Sequence, residues 1–369
     1  QMKKRLSHLT LSLFLFSGTL ISCSNSPLVE TEIIEQLVVH ESEGSNTIVP
    51  TESIPHLLFN SGIRSILLDS KGNMWFGSHQ DGVCKWDGKS HTYYTKKDGL
   101  SNNQVRTIQE HADGSLWFGT GNGISSFRNG VLKNETQKML GDAYLNVTWS
   151  NYPTDLWFHT EDRKGAYRYN GKQLEFLPFP ASKDKTDGSS YLITGISKGK
   201  SAIWFATYSG VYSFSNGVLN LINNESLGLD AQKGIMHVRS ILEDSKGRLW
   251  IGNNGIGVLV DEGSGIYNFT EEYSLKSPNG FPGGNDSPEG TLEHVFSIGE
   301  DQQGNIWFGD RDTGVWRFDG TQMKNYGTAD GLPQAMIWDI YMLPNGKLLF
   351  GADDGGVYQF NGDSFVRSY

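Results

Sequence analysis

Residues 63–88 read IRSILLDSKGNMWFGSHQDGVCKWDG, and versions of this stretch return to the end of the chain. Clear echoes are VRTIQEHADGSLWFGTGNGISSFRNG from Val105, VRSILEDSKGRLWIG from Val238, VFSIGEDQQGNIWFGDRDTGVWRFDG from Val295 and IWDIYMLPNGKLLFGADDGGVYQFNG from Ile337. Two weaker copies, LNVTWSNYPTDLWFHTEDRKGAYRYNG from Leu145 and LITGISKGKSAIWFATYSGVYSFSNG from Leu192, bring the count to seven. Aligned on the aromatic after the turn, the copies place Trp75, Trp117, Trp157, Trp204, Trp250 and Trp307 in register, with Leu349 in the seventh.

A repeat of about 40 to 45 residues with four short strands is what one propeller blade requires. Each copy parses alike: an apolar strand, a D-x-x-G turn, a second strand, a Gly, a third strand, an x-G turn and a short fourth strand. The expected fold is therefore all-β, a seven-bladed β-propeller of four-stranded antiparallel blades. The 369 residues include 45 glycines and show little helical periodicity, which agrees.

Three segments are expected. Residues 1–23 read as a lipoprotein signal peptide: Lys3, Lys4 and Arg5 precede an apolar run from Leu9 to Ile21 too short to span a bilayer comfortably. The run ends at Leu20-Ile21-Ser22-Cys23, which resembles the bacterial lipobox and implies lipidation at Cys23. Residues 24–46, with several glutamates and a Gly-Ser-Asn end, read as a flexible tether. Residues 47–369 form the propeller. Residues 47–60 have strand character and offer one way to close the ring, while DSFVRSY at the end already resembles the last blade's fourth strand.

Cys84 is the one other cysteine, so with Cys23 lipidated no disulfide is available and stability rests on packing. The formal charge is −10, and loss of the leader makes it three units more negative. Nucleic acid is thereby disfavoured as a partner, and contact with membrane is expected only through the lipid anchor.

The D-x-x-G turns lack the alternating acids of a calcium loop, and Asp followed by Gly is what a tight turn needs. One Trp per blade at a fixed strand position reads as packing between sheets rather than a sugar platform. Function is expected where the copies differ. The loops entering the first strands vary in length, the longest spanning 273–293, with 178–190 and 223–236 also extended. The residue after the leading apolar position is Arg64, Arg106 and Arg239 in three copies, Phe296 and Trp338 in two more, and His237 and His294 precede that leading position in two copies. Arginine beside aromatics suits a carboxylated or hydroxylated ligand, by bidentate bonds and stacking. Blade-to-blade ion pairing is the competing role for the arginines. No catalytic or phosphate-binding motif is present, and no cofactor is expected.

The consensus V-x-x-I-x-E-D-x-x-G-x-L-W-x-G-T-x-x-G-[LV]-x-x-[FWY]-x-G resembles the two-component regulator propeller repeat. The resemblance runs from Ile63 to the end and includes the D-G-L links in KKDGLSNNQV and TADGLPQAMI; copies three and four lack the acidic turn. It implies an extracytoplasmic sensor region, often for oligosaccharides, in the bacterial cell envelope. With no kinase region in the chain, the expectation is a lipid-anchored, non-catalytic recognition propeller. Its partners would be an oligosaccharide or an envelope protein, and a membrane sensor kinase that reads the bound state. The W-F-G strands also resemble streptogramin lyase propellers, which implies a magnesium-dependent elimination with His294 or His237 as base. No glutamate is convincingly placed to complete that pair.

Overall fold

The structure is a computed structural model that describes residues 56–137, 154–159, 164–180, 192–200, 202–230, 234–278, 286–334 and 336–369. Cys23, the leader, the tether and residues 47–55 lie outside the described residues. So do 279–285 of the longest loop and most of 178–190.

Seven antiparallel sheets form the blades of a propeller, each drawn from consecutive sequence. The first holds β1 (Ile63–Leu68), β2 (Met74–Ser78), β3 (Val83–Trp86) and β4 (His91–Tyr94). The second holds β5 (Val105–Glu110), β6 (Leu116–Thr120), β7 (Gly123–Arg128) and β8 (Val131–Asn134). In the third, three strands are described, β9 (Leu156–Phe158), β10 (Gly165–Tyr169) and β11 (Leu174–Pro178), and residues 138–153 ahead of them lie outside the described residues. The fourth is β12 (Ile193–Lys198), β13 (Ile203–Thr207), β14 (Gly210–Ser215) and β15 (Val218–Asn223). The fifth is β16 (Val238–Glu243), β17 (Leu249–Asn253), β18 (Val258–Asp261) and β19 (Ile266–Asn268). The sixth is β20 (Val295–Glu300), β21 (Ile306–Asp310), β22 (Val315–Phe318) and β23 (Met323–Tyr326). The seventh is β24 (Ile337–Met342), β25 (Leu348–Ala352), β26 (Val357–Phe360) and β27 (Phe365–Arg367).

Second strands such as β2, β6 and β21 are buried at every residue, because a blade's middle is covered on both faces by its neighbours. The repeated Trp fills that space: Trp75, Trp157, Trp250 and Trp307 are among the largest fully buried side chains. Each has an edge to satisfy, and the D-x-x-G turn does so in three blades. Trp75, Trp250 and Trp307 donate Nε1–H to Asp69, Asp244 and Asp301 at 2.8, 2.9 and 2.8 Å. The same carboxylates accept backbone N–H groups of their own turns, as Asp69 does from Lys71 and Asn73. The expected turn role is thus doubled by a bond to the core. Where no Asp leads the turn, other groups take over: Ser115 accepts from Trp117 at 3.0 Å, and Glu243 of the next blade accepts from Trp204 at 2.6 Å.

The glycines that open third strands permit close approach to the fourth strand. A Cβ at Gly82 or Gly314 would stand 2.2 or 2.4 Å from the carbonyl oxygen of Tyr94 or Tyr326, and both have positive φ. Cys84 is a buried core residue, its thiol pushed up to about 12 by burial.

Burial alone would raise the Asp244 carboxyl, but bonds from Trp250 and Arg248 and the Arg248 charge outweigh it and hold the group below the usual carboxylate range. A depressed folded value means that this stability is present above the unfolded carboxylate pKa, about 3.9, and is lost as pH falls through the folded value. Asp244→Asn keeps an acceptor for Trp250 and cannot ionise, so its stability should decline less than that of the wild type on acidification below about pH 4. Chemical denaturation at stepped pH measures this; parallel declines would exclude the coupling.

Among the described residues no strand from the N-terminal side joins the last blade. The four strands of the last blade come from the C-terminal sequence, and residues 56–60 form no strand. Leu57 and Phe59 pack instead into the cluster shared by the first and last blades, with Ile63, Phe76, Leu349 and Val357. The inner strands β24 and β1 lie against each other, and Asp339 Oδ2 accepts Ile66 N–H across the joint at 2.8 Å.

Candidate functional site

The first strands surround the centre of the ring, β12 against β16, β16 against β20, β20 against β24, β24 against β1 and β1 against β5. All six that are described share one irregularity. In β1 the pairing runs Ile63↔Ser78 and then Ser65↔Gly77, so Arg64 is an extra residue opposite no partner of its own. The same shift falls at Arg106, Thr194, Arg239, Phe296 and Trp338. A β-bulge re-aims the extra side chain, and here all six line a central cavity of about 530 Å³.

The residue after the bulge ties blade to blade. Ser65 Oγ accepts Ile108 N–H at 2.9 Å, Ser240 and Ser297 donate to the carbonyls of Val295 and Ile337, and Asp339 makes the bond across the joint. Asp339 faces the cavity, and the protein around it desolvates its carboxyl and pushes it up to about 7 against the pull of bonds from Ile66 and Ile340.

The five bulge residues singled out in the sequence therefore meet in one place. Four of them build a continuous arc. The Arg64 guanidinium lies 4.5 Å from the Trp338 ring centre, and Trp338 meets Phe296 edge to face at 5.4 Å. Arg239 then lies 4.8 Å from both the Phe296 and the Tyr208 rings. Trp338 also stacks on His79 at 5.7 Å and donates Nε1–H to Asp353 at 2.7 Å. Arg106 stands apart, bonded to Gln104 Oε1 through Nε and Nη2 at 3.0 and 2.8 Å.

His237 and His294 do not line the cavity. His237 packs edge-on against Tyr208 at 4.9 Å, behind the arc. His294 is buried; its Nδ1 donates to Asn254 Oδ1 at 2.8 Å, its backbone N–H donates to Asp310, and Nε2 lies 4.0 Å from Asp312. Two other histidines reach the cavity instead. His79 Nδ1 accepts from Arg64 at 3.2 Å, and His159 Nε2 accepts from Arg106 at 2.9 Å. A ring nitrogen that accepts from a guanidinium carries no proton, so each imidazole is held neutral. Burial first and the arginine charges second lower both pKa values, that of His159 well below the usual range.

His159 occupies the position that is Gly77, Gly119, Gly252, Gly309 or Gly351 in five other copies and Ala206 in one. In those blades there is little room for a larger side chain: a Cβ at Gly77 or Gly309 would lie 2.6 or 2.8 Å from Val105 or Ile337 of the next inner strand. The Gln109 side chain donates to the Trp157 carbonyl at 2.7 Å and accepts Trp157 N–H at 3.4 Å, as a neighbouring strand's backbone would. The W-F-H in place of W-F-G was the sequence signal for this site.

Lys198, Tyr208 and Gln104 complete the polar wall. Among the described residues no cluster of three or more His, Cys, Asp or Glu side chains is placed to hold a metal ion. Nor, among them, is any helix long and apolar enough to cross a membrane.

The sequence pattern of the two component regulator propeller matches residues 57–80, 99–122 and 234–255, the starts of the first, second and fifth blades. No curated protein compared matches the chain. Among solved structures, the chain is similar to the extracellular domain of the hybrid two component system BT3049 from B. thetaiotaomicron, with a TM-score of 0.60 and 20% identity. That likeness covers 83% of this chain and 40% of the other, so this chain spans well under half of that domain. The corresponding domain of BT4673 from the same organism gives 0.52 and 21%, covering 84% and 38%. A catalytically inactive virginiamycin B lyase from Staphylococcus aureus, solved with quinupristin, gives 0.59 and 17%, covering 82% and 96%. At these identities the likeness is one of fold.

Proposed function

We propose, for a chain that belongs to the two component regulator propeller repeat family, the role of an extracytoplasmic recognition module that binds a glycan-like ligand in its central cavity without chemical change. The bound state is passed to an envelope partner, a membrane sensor kinase being the class that the family suggests. The leader and Leu20-Ile21-Ser22-Cys23 support attachment through lipid on Cys23.

One observation carries this reading. The residues common to the copies build the blades, whereas the bulge position, which differs from copy to copy, supplies Arg64, Arg106, Thr194, Arg239, Phe296 and Trp338 to a single cavity. Planar rings beside guanidinium groups give a surface for sugar faces and hydroxyls. A lyase role draws support from the fold but not from His237 or His294, neither of which reaches the cavity.

Calorimetric titration of the protein with a panel of envelope and plant-wall oligosaccharides tests the reading. At least one should bind, and Trp338→Ala should weaken it about tenfold or more. Binding unaltered by both Trp338→Ala and Arg64→Ala would place the ligand elsewhere, and turnover of a panel member would refute the non-catalytic role. Palmitate labelling that persists in Cys23→Ser would remove the anchor.

A further inference from the structure

The chemistry of the cavity wall is lopsided. Its side chains include the cations Arg64, Arg106, Arg239 and Lys198, while among the described residues its one acid is Asp339. The wall's carboxylate and amide oxygens already accept bonds, Asp339 from the N–H groups of Ile66 and Ile340, Gln104 Oε1 from Arg106, and Gln109 from Trp157. This cluster of cations sits in a chain whose formal charge is −10.

Arg239 is the sharpest case. Its guanidinium lies against the Tyr208 and Phe296 rings at 4.8 Å each, and Nη1 donates to the Tyr208 hydroxyl at 3.3 Å. Its Nε–H is buried and bonds to no acceptor among the described residues, and none of the carboxylates described there pairs with it. A cation removed from water without a counter-ion is costly, and an anion arriving in the cavity relieves that cost.

Donor surplus also distinguishes one glycan from another. A neutral sugar hydroxyl donates as well as accepts, and a guanidinium or ammonium group can take none of its O–H bonds. A carboxylate only accepts, and a guanidinium meets it with two parallel bonds.

We propose that the ligand of this cavity is anionic, a carboxylated sugar whose acid group is met by the arginines of the bulge positions, Arg239 foremost. This rests on the reading of the cavity as the ligand site, and the test separates the two. D-galacturonate and D-galactose differ at one carbon, a carboxylate against a hydroxymethyl. Thermal melting of the full chain is followed with each at about 20 mM, and with sodium sulfate and sodium chloride at matched ionic strength. For a dissociation constant of about 1 mM, galacturonate should raise the midpoint by about 2–3 °C while galactose and chloride do not. Arg239→Gln should abolish the shift, and Arg239→Lys, which keeps the charge and loses the fork, should retain part of it.

A sulfate shift as large as that of galacturonate, and equally lost in Arg239→Gln, would support an anion and overturn the carboxylate in favour of a sulfated sugar. Galactose acting as well as galacturonate, with loss in Trp338→Ala but not in Arg239→Gln, would overturn the anion and leave the cavity reading standing. A galacturonate shift that survives both substitutions would overturn both, and no shift with any probe would overturn the inference.

Discussion

Trp307→Ala is expected to lower the free energy of unfolding by about 3–5 kcal/mol. Trp307 is 1% exposed and lies between the sixth and seventh blades. Its ring stacks on Tyr326 at 5.8 Å and meets Phe350 and Phe360 edge-on at 5.6 and 5.0 Å. Truncation removes these contacts, leaves a cavity where two sheets meet, and strips Asp301 of the indole N–H that it accepts at 2.8 Å. Trp307→Phe keeps most of the packing and loses the bond, so it should cost about 1–2 kcal/mol. Urea denaturation of the three proteins measures both steps. A loss below about 1 kcal/mol for the alanine variant would contradict the packing role of the repeated Trp.

Arg168→Met should destabilise the third blade comparably, by about 3–5 kcal/mol. The guanidinium is 7% exposed and lies 2.6 Å from Asp155 Oδ2 and 3.5 Å from Glu175 Oε2, two carboxylates that are themselves buried. Methionine fills much of the volume, so the cost is chiefly that of two buried acids left without their cation. The triple change Arg168→Met, Asp155→Asn, Glu175→Gln should recover more than half of the loss, because no uncompensated charge remains. Denaturation midpoints that fall further in the triple variant than in the single one would show that packing, not charge, sets the cost.

Seven blades were legible because a propeller repeats its own packing problem: each sheet must cover two neighbours, and a Trp answers it in six copies, with an Asp-led turn behind it in three. The bulge was visible only as disagreement, since Arg64, Arg106 and Arg239 share a column with Phe296 and Trp338 and no motif announces an unpaired residue. That column nevertheless supplied the five residues that meet in the cavity. His237 and His294 read as accessible from their place ahead of the first strands, but Tyr208 and Asn254, distant in sequence, take up their rings. His159 went unread for the opposite reason: its copy is weak, and a histidine in a glycine column looks like degeneration until Arg106 is seen bonded to it. The manner of ring closure was left open because residues 47–60 and the C-terminal strand had similar apolar character; of that segment Leu57 and Phe59 are seen packed in the core without forming a strand, and 47–55 lie outside the described residues.

The bulge separates two demands that a strand residue ordinarily has to meet together. A residue in the regular ladder is constrained by the partner opposite it and by the sheet beside it, whereas Arg64 and its counterparts stand outside the pairing count. Identity at these six positions is thereby uncoupled from the pairing of strands within a blade. The settings at the centre are nonetheless shared: Arg64, Trp338, Phe296 and Arg239 come from four blades and touch in series, so a substitution at one re-seats its neighbours' rings and guanidiniums while the strand pairing beneath them stays as it is.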